Sequence, residues 1–282
     1  MSQALYTENR QGQIRRVIPD LIRSRALLRD LVSKDLRARY RNAAIGFLWA
    51  ILQPVLMMLI LTFVFGFLLK SFMPERATGK SHTFAVYLLC GLVPWQFLTL
   101  SLSTAVSSLV INHDLIKKVY FPRETIPLAA ILNNVVSLGI GFVTLLVVMA
   151  VLEGVGSIGI GLLWTPVVFA VQFVLILGLA LLFSALNVRF RDFSYLVEVG
   201  LAFGFYATPI FYELPKGIDP WLQRVYMLNP MAHLVMAYRQ AILDNQFPDL
   251  VHLAWPGIVA AMFLVLGVVV FRRYTPTFAD YL

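Results

Sequence analysis

The stretch DLIKKVYFPRE, residues 114–124, divides two long apolar segments and resembles neither of them. It contains two adjacent lysines, an aromatic pair and a proline, and it is too short to fold alone. The segments on either side, about residues 83–110 and 126–152, each exceed the roughly 20 residues that a helix needs to cross the hydrocarbon core. We therefore predict a polar loop at a membrane surface between two spanning helices.

The composition extends this prediction to the whole chain. Of its 282 residues, 59% are hydrophobic and only 13% are charged, whereas a soluble domain is about half apolar and about a quarter charged. Four further segments have the length and composition of a span, at about residues 43–69, 158–187, 193–212 and 251–271. The sequence thus predicts an all-α integral membrane protein with six transmembrane helices.

The distribution of lysine and arginine predicts the orientation. With six spans both termini lie on one side, and that side receives the basic N-terminal tail, the 111–125 and 188–192 loops and the C-terminal tail. Most of the 23 basic residues fall there, with ten in the N-terminal tail alone. The positive-inside rule therefore predicts cytoplasmic termini. The net charge of +8 then reflects topology and anionic lipid headgroups, and not nucleic-acid binding.

Two shorter amphipathic regions complete the predicted organisation. In residues 24–40, SRALLRDLVSKDLRARY, leucines recur at helical spacing opposite a basic face, which is typical of an interfacial helix. This helix is expected to be a simple anchor or one wall of a docking surface, and the two roles are compatible. The last external loop has helical runs broken at Pro220 and Pro230, too short to span, which predicts re-entrant gate helices over about 217–243. We divide the chain into a cytoplasmic tail, 1–42, and a permease domain, 43–282.

The sequence contains no catalytic motif that we can identify. TGKS at 78–81 lacks the first glycine of a phosphate loop, because Pro74 occupies that position. The four histidines are scattered singly, so we expect structural roles and no metal site. Glu198 is the one acidic residue well inside a predicted span, and either helix packing or cation binding would explain it.

Other polar and small residues in the spans predict helix packing. Asn133, Asn134 and Gln172 are expected to form interhelical hydrogen bonds. Gly200 and Gly204 form a small-xxx-small pair that permits close helix approach, within this chain, at a subunit interface or along a pore that moves.

Aromatic residues are the second chemical signal. Many belong to the interfacial belts that tryptophan and tyrosine usually form, yet Phe203, Phe205 and Tyr206 fall within the predicted fifth span and fit neither belt. Aromatic faces stack on sugar rings through apolar, weakly directional contacts that tolerate sliding. Phe203 and Tyr206, with Trp49 and Tyr212, are therefore candidate lining residues of a sugar-chain conduit.

Four separated motifs, taken in order, resemble the permeases of type-2 ABC exporters that move lipid-linked polysaccharides. KDLRARYRNAAIGFLWAILQP, residues 34–54, is similar to the interfacial helix and the start of the first span in that family, and IKKVYFPRETIPL, residues 116–128, to the segment between its second and third spans. TPIFY, residues 208–212, followed by LNP at 228–230 and Arg239, resembles its fifth span and external gate.

This resemblance implies a role for the opening stretch. In the family the first cytoplasmic loop forms a coupling helix, here about 111–122, that rests in a cleft of a separate ATP-binding subunit. That subunit binds ATP and Mg²⁺, so this chain needs no cofactor or metal of its own. The residues expected to couple to the ATPase are Asp114, Lys117, Lys118, Tyr120 and Phe121.

The resemblance also implies an assembly and a cargo. We expect a homodimer with two ATP-binding subunits in the bacterial inner membrane, exporting an undecaprenyl-linked polysaccharide such as O-antigen, capsule or teichoic acid. Arg39 and Arg41 are expected to attract the lipid pyrophosphate, and Pro230 and Arg239 to belong to the external gate.

Two alternatives remain at this point. A related type-2 ABC exporter could move a drug or a small lipid. A polyprenyl-dependent membrane transferase would need clustered acidic groups, and the candidate residues are scattered in the sequence: Asp35, Asp114, Glu124 and Asp192.

Overall fold

A computed structural model describes residues 25–41, 48–65, 82–118, 121–213 and 219–281. These residues form helices joined by short turns, which confirms the all-α prediction. The helices are α1 Arg25–Arg41, α2 Leu48–Phe63, α3 Phe84–Ile111, α4 His113–Lys118, α5 Thr125–Glu153, α6 Thr165–Arg189, α7 Phe193–Tyr206, α8 Pro220–Tyr226, α9 Pro230–Ile242, α10 Leu250–Tyr274 and α11 Phe278–Tyr281. Short 3-10 turns cover Val155–Ser157, Ile160–Trp164 and Thr275–Thr277.

Among the described residues, four helical segments are long and apolar enough to cross a membrane: α3, α5, α10 and Ile160–Arg189, which contains α6. The helices α3 and α5 agree with the predicted segments to within one residue at each end. The apolar helices α2 and α7 are shorter, with 16 and 14 residues. Both ends of the predicted first span, and the TGKS motif, lie outside the described residues, so the number of six spans stays a prediction.

Two predicted spans differ from the structure at one end. The fifth was expected to reach residue 212, but α7 ends at Tyr206. Pro209 has no backbone N–H and disfavours helical geometry at the preceding Thr208, which explains the early end. The fourth was expected to begin near residue 158, whereas a 3-10 turn covers Ile160–Trp164 and the α-helix begins at Thr165.

Helix α3 is the centre of the bundle, and most of its residues are buried. It packs against α2, α5, α6, α7 and α9. The predicted interhelical role of Gln172 is confirmed, because its Nε2 donates to the carbonyl of Pro94 on α3 at 2.8 Å and its Oε1 accepts from the Tyr238 hydroxyl at 2.9 Å. Likewise Asn134 on α5 donates to Thr104 Oγ1 on α3 at 2.9 Å.

The helices α6 and α10 form the most extensive pair, and they cross at two glycines. A Cβ added to Gly267 would lie 2.3 Å from the carbonyl oxygen of Gly178, and one added to Gly178 would lie 2.4 Å from the backbone nitrogen of Leu264. Both obstructing atoms belong to the backbone and cannot rotate away. Both glycines can be read in the sequence, but only the structure shows that they face each other where α6 and α10 cross.

A second hydrophobic cluster, the end cluster, joins α1 and α4 to one end of the spans. Its buried members are Leu31, Leu109, Ile116, Ile126, Ala129, Leu181, Ala185, Val188, Phe271 and Phe278. The predicted amphipathic helix is thus confirmed as α1, with its apolar face on this cluster and its basic residues Arg25, Arg29, Lys34 and Arg37 exposed. Asn133 on α5 also donates to Asp35 Oδ2 on α1 at 3.3 Å.

The α6–α10 crossing generates a stability prediction. Gly267→Ala should destabilise the protein by about 1–3 kcal/mol, because the new methyl group meets backbone atoms. Gly257→Ala, on the same helix at a position where an added Cβ would have no heavy atom within 4 Å, should be neutral or slightly stabilising since alanine favours helix. Denaturation of the purified protein in detergent measures both, and equal midpoints would contradict the close crossing.

Candidate docking segment and conduit surface

A buried arginine fixes the turn that follows α7. Arg239 on α9 is only 5% exposed, and its Nη1 and Nη2 donate to the carbonyls of Pro209 and Ile210, each at 2.7 Å. Its guanidinium carbon lies 3.6 Å from the ring centroid of Tyr87 on α3, a cation–π contact. Gly91 leaves the room for this contact, since a Cβ there would lie 3.1 Å from Nη2. Arg239 therefore joins α3, α9 and the turn.

A second set of hydrogen bonds ties the same turn to the start of α9. Asn229 Nδ2 donates to the Ala207 carbonyl at 3.1 Å and to Thr208 Oγ1 at 2.9 Å. Its Oδ1 accepts from the Met231 N–H at 2.9 Å, which caps α9. Pro230 occupies the first turn of α9, where a missing N–H costs nothing. The motifs TPIFY and LNP, which are 15 residues apart in sequence, thus form one structural unit.

Aromatic rings extend this unit to α2 and α8. Phe65, just after α2, stacks on Phe211 with ring centroids 4.9 Å apart. The ring centroids of Phe211 and Tyr212 lie 5.0 Å apart, and those of Tyr212 and Tyr226 of α8 lie 6.0 Å apart. The Tyr212 hydroxyl donates to the Tyr206 carbonyl at 2.7 Å. We call Phe65, Phe211, Tyr212 and Tyr226 the turn cluster; it brings the ends of α2 and α7 together.

Large aromatic side chains of α2 and α7 are exposed in this chain. Trp49 is 55% exposed, Phe203 74% and Tyr206 68%. By contrast, the exposed large side chains of α5 and α10 are non-aromatic, as expected of surfaces that face lipid: Val136, Val143, Val147, Val151, Leu152, Leu250, Val251, Ile258, Met262, Val265, Leu266 and Val269. The outward face of α7 therefore carries aromatic rings that those of α5 and α10 lack. On α2 the exposed rings of Trp49 and Phe63 lie at the two ends of the helix, and the large hydrophobic side chains exposed between them are aliphatic.

The structure brings together only part of the predicted conduit set. Tyr206 and Tyr212 are hydrogen-bonded, and Phe203 lies one turn before Tyr206 on α7. Trp49 lies at the other end of α2 from Phe65, about 24 Å along the helix at 1.5 Å per residue. Tyr212 is partly buried in the turn cluster, so its ring is less available than those of Phe203 and Tyr206.

The predicted coupling segment contains the short helix α4. Ile116 is buried in the end cluster, whereas Asp114, Lys117 and Lys118 are exposed. Phe121 is partly buried and packs against the same cluster, while Tyr120 lies outside the described residues. The apolar residue thus anchors α4 to its own chain, and the charged residues point outward.

The segment after α4 is held by the C-terminal end of the chain. Arg123 Nη1 donates to the Thr275 carbonyl, and its guanidinium carbon lies 5.9 Å from the ring centroid of Phe278. Glu124 Oε1 accepts from Arg272 Nε at 3.3 Å. We call these contacts the C-terminal clasp. The C-terminal clasp was not predicted from the sequence, although the aromatic Phe278 in the polar C-terminal tail was a visible signal.

Arg39 and Arg41, expected to attract lipid pyrophosphate, fall in the last turn of α1. Their side chains lie outside the described part of the chain. The backbone places both residues at the end of α1 that leads towards α2. Their predicted role stays a prediction.

The two glycines of the small-xxx-small pair in α7 have different surroundings. A Cβ at Gly204 would lie 2.9 Å from Cη2 of Trp95, so this glycine permits packing against α3 within one chain. A Cβ at Gly200 would have no heavy atom within 4 Å. Gly200 is exposed, as is Glu198 two residues earlier.

Two of the four histidines, although scattered in the sequence, meet in the fold. The fold brings His233 of α9 and His252 of α10 together, with their Nδ1 atoms 3.0 Å apart, and His233 Nε2 lies 2.8 Å from the Met227 carbonyl. This contact joins residues 19 positions apart in sequence, which no spacing rule would reveal. Within the described ranges, no group of three or more His, Cys, Asp or Glu side chains is placed to hold a metal ion.

Comparison with known proteins identifies the family. Residues 27–243 match the ABC-2 type transporter family, and the chain belongs to it. Over 267 residues the chain is 29% identical to the O-antigen export system permease protein RfbA of Myxococcus xanthus, covering 94% of this chain and 98% of that protein. A protein of the same name from Klebsiella pneumoniae is 29% identical over 91% of this chain and 95% of its own length. The polysialic acid transport protein KpsM of Escherichia coli is 24% identical over 86% of this chain and 91% of its own length.

The buried arginine generates a second stability prediction. Arg239→Lys should lower the free energy of unfolding by about 1.5–3 kcal/mol, because an ammonium group cannot reproduce two parallel bonds to neighbouring carbonyls. Arg224→Lys on exposed α8 is the matched control and should change little. Chemical denaturation in detergent compares them, and an Arg239→Lys protein as stable as the control would contradict the proposed role of the guanidinium.

The C-terminal clasp generates a double-mutant prediction. Glu124→Arg and Arg272→Glu should each destabilise the protein, and the two together should recover about 1 kcal/mol of the loss because the ion pair is restored in reverse. The pair is partly exposed, with 13% and 18% of the side-chain surface accessible, which limits the effect. Strictly additive losses in denaturation midpoints would show that the two side chains do not interact.

Proposed function

We propose that this chain is the membrane-spanning subunit of an ATP-driven exporter that moves an undecaprenyl-linked polysaccharide across the bacterial inner membrane. The chain belongs to a transport permease family, and nearly its full length aligns with relatives named for O-antigen export and polysialic acid transport. Polysaccharide export is thus the activity that these relatives favour for this chain.

The observation that carries the proposal is the exposed aromatic face of α7, together with the exposed ring of Trp49 at one end of α2. Phe203 and Tyr206 are about as exposed as the aliphatic residues of α5 and α10, yet they present flat polarisable rings. Such rings can stack on successive sugar units without fixing the chain in one register. We therefore assign α2 and α7 to the conduit, with Trp49, Phe203, Tyr206 and Tyr212 as sugar-contacting residues.

The proposed topology has six spans, with α2 as the first and α7 as the fifth. Both termini, α1 and α4 then face the cytoplasm, and residues 1–42 and 43–282 form the tail and the permease domain. Alone, α7 is about 21 Å long at 1.5 Å per residue, which is less than the roughly 30 Å hydrocarbon core. The turn held by Arg239 would therefore lie inside the membrane, with α8 and α9 as re-entrant gate helices behind it.

The proposed assembly is a homodimer above two ATP-binding subunits. The exposed Asp114, Lys117 and Lys118 of α4 would enter a cleft of the ATPase, with Tyr120 and Phe121 as the apolar part of the contact. The partner subunits would bind ATP and Mg²⁺. Arg39 and Arg41, at the end of α1, would attract the pyrophosphate of the lipid carrier.

Export itself tests the conduit. In a strain lacking the gene, the restored chain should support export of polysaccharide to the cell surface. The double variant Phe203→Ala, Tyr206→Ala should slow the appearance of this polysaccharide about fivefold or more, since one lost aromatic contact costs about 1 kcal/mol. Val143→Ala with Val147→Ala, equally exposed on α5, is the control. Normal export by the aromatic variant at equal expression would exclude these rings from the path.

Co-purification tests the docking segment. Lys117→Glu with Lys118→Glu should abolish recovery of an ATP-binding subunit with the tagged chain, because both positive charges of the exposed face are reversed. Lys34→Glu with Arg37→Glu, on the exposed face of α1, tests separately whether α1 forms one wall of the docking surface. Unchanged recovery of the ATPase with the α4 variant would disprove this assignment.

A further inference from the structure

An apolar cavity of about 340 Å³ separates α7 from the rest of the bundle. Trp95 and Leu98 of α3, Phe183 of α6, and Gly200 and Leu201 of α7 are among its lining residues. The lining extends along α7 from Phe193 to Gly204, about 17 Å of helix at 1.5 Å per residue. We call this elongated space the α7 crevice.

Residues of α6, α7 and α9 line the two ends of the α7 crevice, and one side is open. At one end residues 229–231 at the start of α9 complete the lining, and at the other the rings of Phe183 and Phe193 lie 5.5 Å apart. Leu196 and Gly200 line the crevice and are also exposed, so the opening faces sideways beside α7.

The chemistry of the crevice favours a hydrocarbon chain. Its lining is almost entirely apolar, and Asn229 Nδ2 is already bonded to Ala207 and Thr208. Water needs two to four polar partners to be stable in a cavity, and an empty void forfeits dispersion contacts. A lipid tail satisfies both conditions, because it is apolar, elongated and already present at this depth of the membrane.

Basic residues beside the Phe193 end indicate the headgroup. Arg189, the last residue of α6, and Arg191, in the short connection between α6 and α7, are both exposed, and Arg191 lies two residues before Phe193. Asp192 is the one acidic neighbour in this connection, which leaves a net positive charge. In the proposed topology this connection lies at the cytoplasmic interface, where a basic residue attracts anionic headgroups.

From these observations we infer that the α7 crevice binds one acyl chain of an anionic phospholipid, whose phosphate lies beside Arg191. The inference rests on the topology proposed above but not on the proposed cargo. Bound there, the lipid would fill the space between α7 and its neighbours and so hold α7 at its present distance from α3.

Trp95 provides a local reporter, because only 7% of it is exposed and it lines the crevice. A bromine atom quenches tryptophan by contact, so lipids on the outer surface should not reach this ring. The protein retaining Trp95 alone, with Trp49, Trp164, Trp221 and Trp255 changed to Phe, is placed in phosphatidylcholine vesicles. A minor fraction of the lipid molecules carries one dibrominated acyl chain. In one sample this brominated lipid is phosphatidylglycerol, and in the other it is phosphatidylcholine.

Quenching of Trp95 is expected, with about a fivefold preference for brominated phosphatidylglycerol, the effect of one arginine near an anionic headgroup. Gly200→Leu should abolish quenching by filling the crevice, where the added side chain has room. Gly139→Leu on α5, equally unobstructed and outside the crevice, should preserve it. Arg191→Gln should remove the preference between headgroups while quenching persists.

Three results would overturn the inference: no quenching of Trp95 by either lipid, equal loss in both glycine variants, or stronger binding of polyprenyl phosphate. The last is measured by adding unbrominated polyprenyl phosphate at the same mole fraction; displacement well beyond that by unbrominated phosphatidylglycerol would assign the crevice to the isoprenoid.

A second measurement uses the unaltered chain, should the single-tryptophan protein fail to fold. Phosphatidylglycerol with a photoreactive acyl chain should label peptides of α3 and α7 that line the crevice, and labelling confined to α5 and α10 would also refute the inference. Because both readouts are independent of export, they separate failure of this inference from failure of the proposed cargo.

Discussion

The fold around the turn after α7 depends on one buried guanidinium. Arg239 donates to the carbonyls of Pro209 and Ile210 at 2.7 Å each and lies against the Tyr87 ring. Where α7 ends early, its turn leaves carbonyl groups without helical partners, and a charged donor satisfies two of them at once. The position of α9, the cap by Asn229 and the aromatic turn cluster all follow from this attachment.

Helix α3 connects that attachment to the opposite end of the molecule. Tyr87 and Gly91 near its start contact Arg239, and Leu109 near its end belongs to the end cluster that holds α1 and α4. A displacement of α4 would therefore be passed to packed helices and not absorbed by a flexible loop. The C-terminal clasp adds a second connection, through Arg123 and Glu124, to α10 and the turn that follows it. This arrangement suits a permease driven by a separate ATPase.

Much of the helical framework could be predicted, because long apolar segments have few alternatives in a bilayer. The spans around residues 114–124, the amphipathic α1 and the polar groups Asn134 and Gln172 followed from hydropathy and spacing. The early end of α7 was missed because hydropathy outweighed the local effect of Pro209. The His233–His252 contact, the Gly178–Gly267 crossing and the clasp join residues distant in the sequence, so no local pattern could reveal them.

We propose that this chain meets two different partners, a protein at α4 and a sugar polymer at α7. Photocrosslinking in living cells tests both contacts, with a photoreactive phenylalanine analogue placed at Lys118 in one strain and at Tyr206 in another. We expect the Lys118 position to crosslink to an ATP-binding protein and the Tyr206 position to lipid-linked polysaccharide. Crosslinks from both positions to membrane lipid alone would contradict this proposal.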